Sequence, residues 1–111
     1  MNKEVIHIDR NLVSKLKIGD ESAFQQLFEK YENDIFRYAF SLIKSREHAQ
    51  EIVQDVFVKV WIKRATLKPE LSFKSFLFTI TKNLSYNLLV KAANDIKLRQ
   101  EVFYHKTVSH S

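Results

Sequence analysis

Apolar residues recur along most of this chain at intervals of three and four, the period of a helix that buries one face. The clearest run is Phe24, Leu27, Phe28, Tyr31, Ile35, Tyr38, Ala39 and Leu42, with Glu29, Lys30, Glu32, Asn33 and Arg37 between them. It predicts a core helix of about six turns, with Asp20 placed to cap its start. Upstream, Leu12, Val13 and Leu16 predict a first short helix from Asp9, read as its N-cap, to Ile18. Gly19 then falls at the C′ position, where left-handed backbone ends a helix at little cost. Downstream, Ser45 offers a cap for a third helix with the buried stripe Ala49, Ile52, Val53, Val56 and Val60, running to around Lys63 or Thr66. Pro69 disfavours helix at Lys68, so Thr66 to Leu71 reads as a loop, with Ser72 capping a fourth helix. In that helix Phe73, Phe76, Leu77, Ile80, Leu84 and Leu88 form the inward stripe, and Ser75, Thr79, Lys82, Asn83 and Tyr86 take the opposite arc. The helix reaches at least Lys91. From Ala92 to Val102 the pattern weakens, and Tyr104 to Ser111 reads as a tail.

A single glycine and a single proline in 111 residues reinforce this reading, because sheets need frequent turns and turns need such residues. The fold class predicted is all-α, a compact bundle of about four helices. The length suits one domain, divided as an N-terminal segment over 1–19, the helical domain over 20–91, and a helix extension or linker over 92–111. The absence of cysteine removes disulfide and thiolate chemistry. The start carries no apolar secretion signal, and no run approaches the roughly 20 apolar residues of a membrane span. A cytoplasmic location is expected.

The net charge of +5 points weakly to polyanions, but its distribution says more. The third helix carries Glu47, Glu51 and Asp55, whereas Ser72 to Lys91 holds Lys74, Lys82 and Lys91 and no acid. With Ile52, Val53 and Val56 turned inward, Glu51, Gln54, Asp55 and Val58 share an outer face of the third helix, with Trp61 one turn further along its edge. Two readings stand: a protein interface, or a solvated face with Trp61 capping the core. On the fourth helix, lysines suit phosphates, Asn83 and Asn87 suit base edges, and Tyr86 can stack on an unpaired base. The competing reading is a bundle helix with a polar surface, and Phe78 reads as packed. Catalysis finds no support: His7, His48, His105 and His110 are scattered, His48 reads as a surface residue of a first turn, and no nucleophile, metal-spacing or cofactor motif occurs.

Two segments, in order and at the right separation, resemble a known family. Ala49-Gln50-Glu51-Ile52-Val53-Gln54-Asp55-Val56-Phe57, followed by Trp61, is similar to the "AEDLVQDVF…W" signature of bacterial RNA polymerase sigma factors of the extracytoplasmic-function (ECF) group. Ser72-Phe73-Lys74-Ser75-Phe76-Leu77-Phe78-Thr79-Ile80-Thr81-Lys82-Asn83-Leu84 resembles their "SFxxWLxxIAxN" segment. Gly19-Asp20-Glu21-Ser22-Ala23-Phe24 is similar to the family's usual opening, so the resemblance spans about Leu12 to Lys91.

The resemblance implies the second conserved sigma region. It docks on the largest subunit of core RNA polymerase and captures the non-template strand of the promoter minus-ten element. Glu51, Gln54, Asp55, Val58 and Trp61 would then face the polymerase. Lys68, Ser72, Phe73, Lys74, Ser75, Thr79, Lys82, Asn83, Tyr86, Asn87 and Lys91 would face DNA. The loop Thr66 to Leu71 would enclose a flipped base, with Asn83 closing the pocket. A membrane-associated anti-sigma factor is a further partner of the kind the family uses, and no cofactor is implied. Phe76 replaces the family's usual tryptophan, Thr81 its alanine and Asn87 a common aspartate, and Val90 stands where a basic residue is frequent. Thr79 and Ile80 occupy the places of the tryptophan pair of primary sigma factors, implying weaker intrinsic melting. The family commonly adds a helix-turn-helix domain; residues after Lys91 carry no such pattern, and the expectation is a fragment ending in an interdomain linker. The alternative is a helical module that binds proteins only, without salt-dependent affinity for single-stranded DNA.

Overall fold

Residues 3–103 are described by the structure, a computed structural model; the tail assigned to Tyr104 through Ser111 lies outside them. The chain forms α1 (Lys3–Lys17), α2 (Glu21–Ile43), α3 (Arg46–Ile62), a 3₁₀ turn (Arg64–Thr66), α4 (Phe73–Ala93) and α5 (Ile96–Phe103). Among the described residues the all-α class holds, with five α-helices rather than about four. The added one arises where the pattern weakens. Asp95 accepts a hydrogen bond from the Leu98 amide (2.9 Å), capping a new helix instead of letting α4 continue. Val102 of α5 is fully buried, and Glu101 Oε2 lies 2.7 Å from His48 Nε2 of α3. His48 is therefore a link between α3 and α5, not a solvated first-turn residue.

Local chemistry sets the other boundaries. Gly19 takes φ +89°, and its amide and that of Asp20 donate to the carbonyls of Leu16 (2.9 Å) and Lys15 (3.1 Å), the paired bonds of a Schellman ending. Asp20 then caps α2 by accepting from the Ala23 amide (3.1 Å). Lys44 turns the chain out of α2 with φ 65°, and Ser45 caps α3 through the His48 amide (3.3 Å). Ser72 caps α4 by accepting from the Ser75 amide (3.1 Å), as its place after Pro69 predicts.

The core is built around α2, which packs on α1, α3 and α4 through Ala23, Leu27, Tyr31, Ile35, Ala39 and Ile43. The α3 stripe is the expected one with Phe57 added. Two expectations fail for physical reasons. Asp9 is no cap: α1 begins at Lys3, and Asp9 lies inside it, 7% exposed, bonded to Lys30 Nζ (2.5 Å) and to the Tyr31 hydroxyl. Burial, reinforced by the Asp9 carboxylate, pushes the Tyr31 phenol above its ordinary pKa, so it remains a donor. On α4 the buried line runs through Phe73, Leu77, Thr81, Ser85 and Ala92, while Phe76, Ile80, Leu84 and Leu88 sit half-buried on its flanks. The helix is rotated toward its small residues because Thr81 satisfies its hydroxyl internally, donating to Leu77 O (2.7 Å), and small side chains permit close helix approach. Ser85 Oγ, by contrast, is buried without a hydrogen-bond partner.

Two stability outcomes follow. Asp9→Ala leaves an ammonium and a phenol unpaired and should cost about 2–3 kcal/mol in denaturant unfolding. Ser85→Ala removes an unsatisfied hydroxyl and should raise the unfolding free energy by about 1 kcal/mol; a fall of that size would mean that the hydroxyl has a partner in solution.

Candidate functional site

Two concavities lie on different parts of the bundle. The first, of about 540 Å³, forms where the segment after α3 folds over the start of α4. Its wall and floor include Val13 of α1, Leu67, Phe73 and Phe76, and its rim carries Thr66, Lys68, Ser72, Ser75 and Thr79. Val13, Leu67 and Phe73 are buried core residues, so the concavity opens directly onto the packed interior. Leu71, 63% exposed, stands over it with little packing of its own. An adjoining hollow is lined by Asp9, Arg10, Glu70, Leu71, Ser72, Phe73 and Ser75, which places Glu70 beside the main cleft rather than in it.

From this cleft a polar stripe runs along α4. Ser75, Thr79, Lys82, Asn83, Tyr86, Asn87 and Lys91 are all exposed, at spacings of three and four, over about 24 Å of helix. Lys74 Nζ lies 5.8 Å from the Phe78 ring centre and Lys82 Nζ 5.8 Å from that of Tyr86, so the cations run beside aromatic faces. Phe78 also packs on Tyr38 at 5.0 Å, in keeping with its reading as a packed ring. Of the eleven residues assigned to DNA from the sequence, Lys68, Ser72, Phe73, Ser75 and Thr79 converge on the cleft. Phe73 does so from below, as a buried ring tilted against Tyr31. Asn83 lies one turn past Thr79 and is not among the cleft-lining residues.

The second concavity, about 530 Å³, is a groove between α2 and α3 lined by Glu21, Phe24, Gln25, Phe28, Gln54, Phe57, Val58 and Trp61. Its base is a run of edge-to-face rings: Phe28 with Phe57 at 4.9 Å, Phe57 with Phe24 at 6.2 Å, and Phe24 with Trp61 at 5.3 Å. The Arg64 guanidinium lies 4.1 Å from the Trp61 ring centre and donates to Trp61 O (2.8 Å), which fixes the indole at the groove's end. Trp61 is thus half-buried and shared between core and surface, and Val58 is 55% exposed beside it. Asp55, which follows Gln54 on α3, is exposed and is not among the groove-lining residues. Glu51 stands further back, 3.7 Å from His48 Nδ1, outside the groove. The α2 half of this groove was missed from the sequence because Phe24 and Phe28 fit the core stripe; its signal was a stripe too wide for one buried face. Among the described residues no cluster of metal-ligating side chains occurs, and no helix is long and apolar enough to cross a membrane.

The Sigma-70 region 2 family model matches residues 27–94. Over 90 residues the chain is 23% identical to the ECF RNA polymerase sigma factor SigW of Bacillus subtilis, covering 81% of this chain and 48% of that protein. It is 28% identical over 82 residues to the RNA polymerase sigma-H factor of Pseudomonas aeruginosa, covering 74% and 42%. The chain spans about half the length, or less, of these curated relatives. Its fold is similar, with a TM-score of 0.70 and 25% identity, to an engineered region 2 of sigmaE solved by NMR in complex with GTAAAA, covering 77% of this chain and 88% of that one. The α4 stripe and the α2–α3 groove both draw on the matched span, and the chain belongs to the Sigma-70 region 2 family, a non-enzymatic domain of transcription factors, with ECF sigma factors among its relatives.

Proposed function

We propose that this chain docks on core RNA polymerase through the α2–α3 groove and captures single-stranded promoter DNA along α4, with one unstacked base of the minus-ten element held in the cleft beneath Leu71. The observation that carries this reading is the exposed, acid-free arc of α4 leading into an open cleft with an apolar floor. A strand needs cations for its phosphates, aromatic faces for its bases and a recess for any base taken out of the stack. Lys74 and Lys82, Tyr86, and the cleft answer these needs in turn. The sigmaE relative bound to GTAAAA adds support, since its fold resembles this one. Asn83, Asn87 and Lys91 then track the strand beyond the cleft rather than enclosing the captured base.

The groove suits a protein helix: an aromatic base, Val58 as an exposed apolar contact, and Gln54, Gln25, Glu21 and Asp55 as polar surroundings. The partner expected there is the largest subunit of the polymerase. Docking on one side leaves the α4 arc open, which is what an initiation factor requires.

Asp55→Arg should abolish capture of core polymerase in a pull-down while leaving helicity and melting temperature nearly unchanged, because a reversed surface charge seldom unfolds a domain. Undiminished capture would remove Asp55 from the interface. Lys82→Ala should weaken binding to single strands of every sequence alike and reduce the slope of log K against log salt by about 0.7, the share of one phosphate contact. A changed sequence preference at constant slope would instead make Lys82 a base reader.

A further inference from the structure

The cleft differs from a generic stacking surface in where its walls come from and in what they lack. Val13, 2% exposed, belongs to α1, outside the span matched by the family model, yet it lines the cleft with Leu67, Phe73 and Phe76. Leu71 adds a second, largely exposed aliphatic surface from the loop. The rim offers hydroxyls and one ammonium but no carboxylate: Glu70 faces the adjoining hollow.

The hydrogen-bonding state of that rim narrows the ligand. Thr66 Oγ1 donates to Lys63 O (2.7 Å) and Ser72 Oγ accepts from the Ser75 amide (3.1 Å), so the Ser72 proton remains to donate. The hydroxyls of Ser75 and Thr79 can donate or accept and Thr66 Oγ1 is left to accept, whereas the Lys68 ammonium only donates; the rim thus holds a cationic donor and no anionic acceptor. Cytosine and adenine present exocyclic amino groups with two N–H bonds to satisfy; thymine presents two carbonyls and a single ring N–H, which one hydroxyl oxygen can accept, and only thymine adds an apolar group, its 5-methyl. Guanine also offers a carbonyl, but its amino group again asks for an acceptor, and it has nothing to place against an aliphatic floor.

We infer that the base held in this cleft is thymine, read by contact of its 5-methyl group with the aliphatic surface that Val13 of α1 and Leu71 of the loop supply. The inference rests on the capture of an unstacked base proposed above, and goes beyond it in naming the base and in giving α1 a part in sequence choice. Val13 and Leu71 are specificity residues here, one fixed in the core and one exposed on the loop.

Homopolymers isolate the term, because strands of equal length carry equal charge and remove any question of register. The 111-residue chain is titrated at low salt with a labelled twelve-nucleotide oligo-dT, and oligo-dU, oligo-dC and oligo-dA of the same length compete. Oligo-dT should bind about fourfold more tightly than oligo-dU, the worth of one buried methyl, and more tightly than oligo-dC and oligo-dA. Leu71→Ala, a change at an exposed position, and Val13→Ala, checked for retained helicity, should each shrink the dT-to-dU ratio toward one, whatever they do to the two affinities in common. Equal binding of dT and dU overturns the methyl contact, and tighter binding of dC or dA overturns the choice of base. An undiminished ratio in Leu71→Ala overturns the location even if Val13→Ala does not fold. Failure of all four strands to bind would take down the single-strand reading itself, and this inference with it.

Discussion

The position of α1 hangs on one buried carboxylate. Asp9 is almost withdrawn from solvent, and a lone carboxylate could not remain there; Lys30 and Tyr31 of α2 make it tolerable by bonding to its two oxygens. That exchange locks α1 in register with α2, and the rest of the cleft follows. With Asp9 fixed, Val13 and Leu16, four and seven residues on, point into the same core, and Val13 ends beneath the loop after α3. The Gly19 turn then returns the chain to Asp20 in time to cap α2. A hydrophobic stripe alone would leave α1 free to slide by a turn along its neighbour; a directional ionic contact does not.

The architecture was legible wherever apolar period and cap chemistry agreed. Asp20, Ser45 and Ser72 all cap as their places in the sequence require, and Gly19 carries the positive φ that its position after α1 calls for. Asp9 misled because a carboxylate before an apolar run has the same sequence signature whether it caps a helix or is buried within one, and the deciding partners lie over twenty residues away. The α4 stripe misled in the opposite way: Thr81 and Ser85 are polar by type, yet small enough to occupy the closest helix contact, and period counting rewards bulk. His48 looked solvated because its partner, Glu101, belongs to a helix whose own pattern was too faint to place.

Of the site, the half carried by motif was readable. The exposed arc of α4 and the outer face of α3 sit where their spacing puts them. What spacing could not convey was composition across elements: Phe24 and Phe28 joining Trp61 from α2, Arg64 stacking on that indole, and α1 entering the cleft. The first and the last are meetings of residues far apart in sequence, visible only after packing has brought the helices together; Arg64 is three residues from Trp61, but it belongs to the 3₁₀ turn that follows α3 and not to the helix.

The lysines of α4 carry a further consequence. Among the described residues, neither Lys74 nor Lys82 has a carboxylate to hold it; each keeps only an aromatic ring at 5.8 Å. A polyanion arriving at this face has no existing ion pair to displace, so little reorganisation separates encounter from contact. Such a surface favours speed of association over permanence for any polyanion: its field would draw one in quickly at low ionic strength, and added salt would slow that arrival steeply.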